Sequence, residues 1–283
     1  MTSWQPLQTS APAIEGGPEL LVYPKLRSNE LQNYRDIIVA LPPSYAAGDH
    51  EYPVVVMHDG QNLFDPATSY AGDWGLGETL RDLSADGIEP IVVGIANKGP
   101  FRKYEYSPFR DPVHGGGDGE RYLDFIEHSV LPLVRQTFRA TPDPAATSIA
   151  GSSMGGLLSL YALLQRPAVF GGAAALSPSA WFADEALCRM VAAGDPPRGR
   201  LWLDIGTGEG DPMVETVRRL RTALVGRGLA EGDRFRYIEE PEATHDEAHW
   251  GRRFRAVLPF LLGRESRVSP GPAGRSGEPT IRT

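Results

Sequence analysis

Serine, carboxylate and histidine side chains follow one another here in an order that fits covalent acyl chemistry. A serine hydroxyl is a weak nucleophile at neutral pH. It needs a neighbouring base, and the base needs an orienting acid. The stretch Thr147 to Gln165, TSIAGSSMGGLLSLYALLQ, supplies the serine. An apolar entry, Ile149-Ala150, runs into Gly151-x-Ser153-x-Gly155, and a helix-period run (Leu157, Leu160, Tyr161, Leu164) follows. Strand, sharp turn and helix with a serine at the apex make a nucleophile elbow. The apex residue must take a strained backbone conformation, and a Cβ at Gly151 or Gly155 would crowd the turn. Ser153 then sits at a helix N-terminus, where free N–H groups and the helix dipole favour a developing negative charge.

The partners should follow in the chain order serine, acid, histidine. Two histidines follow Ser153, His245 and His249. His245 lies in PEATHDEAHW, the loop after the last expected strand, from which an imidazole can reach the elbow. His249 falls one turn into the closing helix, so His245 is preferred as the base. The acid belongs in Gly206-Thr207-Gly208-Glu209-Gly210-Asp211, after the preceding strand. Glu209 is favoured. Asp211, followed by Pro212 and a helical pattern, looks like an N-cap with proline at the first helical position. It stays the alternative acid, with the mid-strand Asp204 behind it. The oxyanion needs two backbone N–H donors. Met154, after the nucleophile, offers one. Gln61 in His58-Asp59-Gly60-Gln61-Asn62-Leu63-Phe64-Asp65 offers the other, with Gly60 letting the backbone approach closely.

These residues need a sheet to hold them. Leu20 to Leu26 and Arg35 to Leu41 read as paired early strands joined through Ser28-Asn29-Glu30. Pro53 to Met57 and Pro90 to Ala96 are wholly apolar runs, as expected of strands buried on both faces. Trp74 to Ala85 and Tyr122 to Phe138 read as helices. After the elbow come strands at Gly172 to Leu176, Arg200 to Gly206 and Phe235 to Glu239. Helices follow over Asp184 to Ala193, Asp211 to Gly226 and Glu247 to Leu262. Such alternation implies a mostly parallel sheet with helices on both faces, and ligands bind beyond the C-terminal strand ends. Every candidate above follows a strand. Residues 1–18 read as a flexible arm, residues 19–262 as a single α/β domain, and residues 263–283, rich in Gly, Pro, Ser and Arg, as a disordered tail.

The chain has 283 residues, 41% apolar and 23% charged, which is ample for one large domain. Net charge is −8, with no basic stripe carrying interleaved aromatics, which argues against nucleic-acid binding. One cysteine, Cys188, excludes an intrachain disulfide and reads as a packing residue. No stretch reaches the ~18 apolar residues of a membrane span, and the N-terminus lacks the pattern of a signal peptide. The expectation is a cytoplasmic protein. No ligand set of cysteine, histidine or carboxylate stands at metal spacing, so no metal is expected.

Five stretches carry a resemblance: YPVVVMHDGQNLFD at 52–65, EYSP at 105–108, GSSMGG at 151–156, LSPS at 176–179 and HDEAHW at 245–250. With them the chain resembles the esterase family of the α/β-hydrolases from about residue 20 to 262. That family includes formylglutathione hydrolases, enterochelin and related siderophore esterases, feruloyl and acetyl-xylan esterases, and mycobacterial mycolyltransferases. The resemblance implies an α/β-hydrolase fold with Ser153 as nucleophile, His245 as base, and Gln61 and Met154 as oxyanion donors. It implies no metal or organic cofactor. The acid is its loosest part, because some siderophore esterases of the family work without a well-placed one. Formylglutathione hydrolases carry a different loop at HDGQNLFD, which disfavours their substrate. Arg102, Glu105 and Tyr106, after the Val92–Ile95 strand, are candidates for contact with polar substrate groups, as is Asp59. An ion pair holding that loop is the alternative. Trp181 is a candidate pocket wall. The expected function is a serine esterase acting on a small-molecule ester through an acyl-enzyme. The alternatives are acyl transfer to a sugar or other alcohol, and a silent binding protein on this fold. Oligomeric state is not legible.

Overall fold

The computed structural model describes residues 3–264. The strands are β1 (Gln5–Pro6), β2 (Glu19–Ser28), β3 (Asn33–Leu41), β4 (Val54–His58), β5 (Ile91–Ile95), β6 (Arg110–Asp111), β7 (Gly115–Gly116), β8 (Thr147–Ser152), β9 (Gly172–Leu176), β10 (Arg200–Gly206) and β11 (Phe235–Glu240). The helices are α1 (Leu76–Ser84), α2 (Arg102–Glu105), α3 (Gly119–Phe125), α4 (Leu131–Thr137), α5 (Met154–Gln165), α6 (Phe182–Ala193), α7 (Asp211–Gly226) and α8 (Glu247–Leu261). Nine strands form one sheet in the order β1-β2-β3-β5-β4-β8-β9-β10-β11. The first four neighbours pair antiparallel and the rest, from β5 to β11, pair parallel.

Alternation along each strand divides the core between the two faces. Val54 and Val56 of β4 join one buried cluster, with Val93, Leu157 and Leu203. Val55 and Met57 join the other, with Leu80 of α1 and Phe254 of α8. All four β4 side chains are fully buried. At ~1.5–3 kcal/mol for each aliphatic side chain buried, this strand alone binds both helix layers firmly to the sheet.

The expected strands and helices are all present, with ends shifted by a few residues. Three differences have physical causes. The stretch expected as one helix from Tyr122 to Phe138 is interrupted by a π-turn at Ile126–Val130, just before Pro132, which has no N–H to continue the ladder. Helix α6 opens with Ala183, Asp184 and Glu185 at positive φ, so regular helix starts beyond them. The arm expected to be flexible is partly tied down. Gln5–Pro6 adds to the sheet edge at β2, and Trp4 packs edge-on against Tyr23 and Phe138 at 5.5 and 5.0 Å. A tryptophan in a polar stretch found an apolar cleft that composition does not reveal. The expected disordered tail lies outside the described residues from position 265 onward. No described helix is long and apolar enough to cross a membrane.

Candidate active site

Strand β8 is central and enters the elbow. Ser153 has φ 58° and ψ −122°, outside the conformations an ordinary L-residue prefers. The glycines beside it are sterically required. A Cβ at Gly151 would lie 2.7 Å from His58 Cδ2 and 3.1 Å from the Gly155 carbonyl carbon. A Cβ at Gly155 would lie 3.2 Å from His58 Cβ. His58 therefore packs beneath the turn. Burial pulls its pKa down to about 4, so it is neutral at physiological pH and supports packing rather than charge.

The candidate acid and base, Glu209 and His245, meet across the ends of β10 and β11. His245 Nδ1 and Glu209 Oε2 are 2.6 Å apart. The Glu209 side chain is fully buried while that of His245 is 34% exposed, so the carboxylate is a fixed anchor under an accessible imidazole. The other carboxylate oxygen, Oε1, accepts from the Gly206 N–H at 2.9 Å and from Ser177 Oγ. Burial pushes the Glu209 carboxyl up, but the hydrogen bonds from His245, Ser177 and Gly206 outweigh it and hold the group below its ordinary value. It is ionised at neutral pH. Ser177 is itself held by donors from Trp250 Nε1 at 3.1 Å and Arg253 Nη2 at 2.7 Å. Arg253 is buried against Asp204 at 3.2 Å. Asp204 is thus engaged by Arg253, Trp202 Nε1 and the Ser177 N–H, whereas His245 pairs with Glu209. Asp211 is the exposed first residue of α7, whose cap position is Gly210 at φ 93°. The expected Asp211 cap is corrected: the turn needs positive φ there, which glycine supplies.

Ser153, His245, Gln61, Asp59 and Arg102 line one cavity of about 690 Å³. In this state Ser153 Oγ pairs with Ser179 Oγ at 3.2 Å, and no Ser153–His245 hydrogen bond exists among the described residues. Met154 is the first residue of α5, where N–H groups lack intrahelical acceptors. Gln61 sits in a single 3-10 turn, Gly60–Asn62, with its side-chain oxygen accepting from the Asn97 N–H at 3.1 Å. Gly60 is required for packing: a Cβ there would lie 2.5 Å from the Gly94 carbonyl carbon of β5.

Three candidate contact residues fall elsewhere. Glu105 is buried in a bidentate pair with Arg35, Nη1 at 3.0 Å and Nη2 at 2.8 Å, and does not line the cavity. Tyr106 is fully buried and gives its hydroxyl to the Asp59 N–H as acceptor at 3.1 Å. Trp181 lines a separate cavity with Met213 and Arg219. The loop does carry an ion pair, between Arg102 and Asp59, with Nε on Oδ1 and Nη2 on Oδ2, both at 2.7 Å. Sequence reading missed Ser177, Ser179, Arg253, Asn62 and Glu247. The two serines stand in LSPS, and Glu247 lies in the same loop-to-helix segment as His245, but nothing local marks their roles. Cys188 is buried, and its thiol is pushed up to about 12 by that burial, as suits a packing residue. Among the described residues no group of histidine, cysteine or carboxylate could hold a metal ion.

A sheet of this order, an elbow serine after β8 and a histidine–carboxylate pair after β10 and β11 define an α/β-hydrolase. The sequence pattern of the Putative esterase family matches residues 28–261, and the chain belongs to that family. It is 27% identical to the uncharacterized protein YbbA of Bacillus subtilis over 243 residues, 81% of this chain and 93% of that one. It is 35% identical to the siderophore triacetylfusarinine C esterase of Aspergillus fumigatus over 148 residues, 50% of this chain and 48% of that one. Among solved structures, an IroE-like serine hydrolase from Shewanella oneidensis superposes with a TM-score of 0.67 at 26% identity, covering 85% of this chain and 80% of that one. The family assignment and these relatives support hydrolysis of esters.

Proposed function

We propose that the chain is a serine esterase working through an acyl-enzyme. Ser153 Oγ attacks the ester carbonyl while its proton passes to His245 Nε2. The carbonyl oxygen becomes an oxyanion held by the backbone N–H groups of Met154 and Gln61. The carbon–oxygen bond to the alcohol breaks, and the alcohol leaves with the proton from His245. Water then repeats the sequence and frees the acid. Glu209 keeps the Nδ1 proton in place and balances the imidazolium as it forms. A change of Ser153 rotamer, from Ser179 toward His245, precedes attack. Asp59 and Arg102 form the cavity wall facing the substrate.

One observation carries this reading: a serine at a strained positive-φ apex shares a cavity with a histidine whose other nitrogen is 2.6 Å from a buried carboxylate. A structural glycine turn would need no such pair. The relatives make siderophore esters the first natural substrates to try. A cytoplasmic location belongs to the same reading, since an acidic chain with one buried cysteine needs no oxidising compartment to fold. The test is a fluorophosphonate adduct mapped by mass spectrometry, beside hydrolysis of 4-nitrophenyl acetate. The adduct should sit on Ser153, and Ser153→Ala should lose several orders of magnitude in kcat. An adduct on Ser152 or Ser179 instead refutes the assignment.

A further inference from the structure

The Ser153 cavity holds a charge that its hydrolytic groups do not use. Apart from His245, its charged lining residues are Asp59, Arg102 and Glu247. Arg102 is committed to Asp59 through both carboxylate oxygens, so that pair is neutral as a unit. Glu247, in the first turn of α8, is only 4% exposed. Its Oε1 accepts from Asn62 Nδ2 at 3.0 Å, and the cation that acts on its charge, Arg102, is the one already paired with Asp59. Asn62 is itself 6% exposed, and its Oδ1 has no hydrogen-bond partner. Burial pushes the Glu247 carboxyl up, and repulsion from Asp59 and Asp246 adds to it, against a backbone hydrogen bond and the pull of Arg102. This carboxyl has no cation of its own, and a cation bound against it would favour its ionised form.

The rest of the lining suits a cation. Beside the His245 imidazole, the cavity's rings are those of Trp250 and the exposed Tyr70, and a ring face attracts an onium group. No Leu, Ile, Val, Met or Phe lines the cavity, so its apolar surface comes from Trp250, Tyr70, Ala71 and the carbon stems of polar residues instead of branched aliphatic side chains. A polyanionic ester would meet two carboxylates and a guanidinium that is already paired. The net charge of −8 adds a long-range pull on cations.

We propose that this cavity takes esters bearing an ammonium-type cation, received by the Glu247 carboxylate against the Trp250 and Tyr70 rings, and disfavours polyanionic esters. The proposal rests on the serine-esterase reading and names its substrate class. Choline and 3,3-dimethylbutanol share a shape and differ by one charge. Each is measured as a competitive inhibitor of 4-nitrophenyl acetate hydrolysis, with isethionate as the anionic control, in wild type and in Glu247→Gln. Choline should inhibit ~10-fold more tightly than its neutral isostere, the size of one cation–ring and charge contact in a partly screened site. Isethionate should be the weakest. In Glu247→Gln the two isosteres should converge to within ~2-fold. Added salt should shrink the wild-type preference, a check that needs no variant to fold. Equal or absent inhibition by both alcohols, a preference indifferent to salt, or a preference that survives Glu247→Gln overturns the proposal while hydrolysis itself continues. A wild-type protein with neither hydrolysis nor fluorophosphonate labelling refutes the serine-esterase reading instead, and this proposal with it.

Discussion

Glu209→Gln separates orientation of the base from simple packing. The carboxylate uses both oxygens: Oε2 faces His245 Nδ1 at 2.6 Å, and Oε1 accepts from Gly206 N–H at 2.9 Å and from Ser177 Oγ. Glutamine has one oxygen and one NH2. If its oxygen keeps the Gly206 and Ser177 contacts, the NH2 faces His245 Nδ1. That nitrogen must then become an acceptor, and the proton moves to Nε2, the atom that should receive the Ser153 proton. If the amide is flipped, its NH2 meets the Gly206 N–H, and a buried donor is left unsatisfied at ~1–3 kcal/mol. The first arrangement should therefore dominate. The corresponding change in a serine protease triad costs ~10⁴ in kcat. Here the expected loss is ~10²–10⁴, or ~3–5 kcal/mol of transition-state stabilisation, with KM nearly unchanged. Arg253, 3.8 Å from Oε1, keeps Asp204 as its ion partner, so the fold should survive. The assay is kcat and KM on 4-nitrophenyl acetate, with urea unfolding alongside. Asp211→Asn is the control: an exposed first-turn charge is worth ~0.3–1 kcal/mol of stability through the helix dipole and should leave kcat intact. A Glu209→Gln rate within ~5-fold of wild type refutes the orientation argument and leaves Ser153 and His245 as a dyad. A collapse in Asp211→Asn would move the acid there.

Ser177→Ala removes a donor to Glu209 and the acceptor of Trp250 Nε1 and Arg253 Nη2. At ~1.5–3 kcal/mol for a charge-assisted bond, kcat should fall ~10–100-fold if the loss is expressed in Glu209 orientation; an unchanged kcat beside lowered stability would make Ser177 purely structural. Asp59 gives a pH signature. Burial raises its pKa, but Arg102 pairing outweighs this and holds it below the ordinary carboxylate value. Its contribution is therefore complete above the unfolded pKa of ~3.9 and is lost as pH falls through the lower folded value. Asp59→Asn should be less stable than wild type by ~1–3 kcal/mol at pH 7, a buried-pair loss discounted for the partial exposure of Arg102, and the gap should narrow below ~pH 4. Urea midpoints across that range check it, and a gap that widens in acid would contradict the sign.

The elements and the turn that presents Ser153 were legible in the chain because their causes are local. Apolar runs at Pro53 to Met57 and Pro90 to Ala96 can only be satisfied inside a sheet. The glycines around Ser153 mark a turn that excludes a Cβ, and chain order then points to His245 and Glu209. What tertiary structure decided was pairing between distant side chains. Arg102 and Glu105 are near neighbours in sequence, yet Arg102 binds Asp59 across 43 positions and Glu105 binds Arg35 across 70. Glu247 meets Asn62 across 185. Composition could not show that Trp4 finds a cleft between Tyr23 and Phe138, nor that Trp181 lines a cavity other than that of Ser153. A charged side chain takes whichever partner the sheet order brings near it, and that order, β5-β4-β8, departs from the sequence order. Local sterics write the turn into the sequence, whereas the counter-ion of a buried charge exists only once the strands are laid side by side.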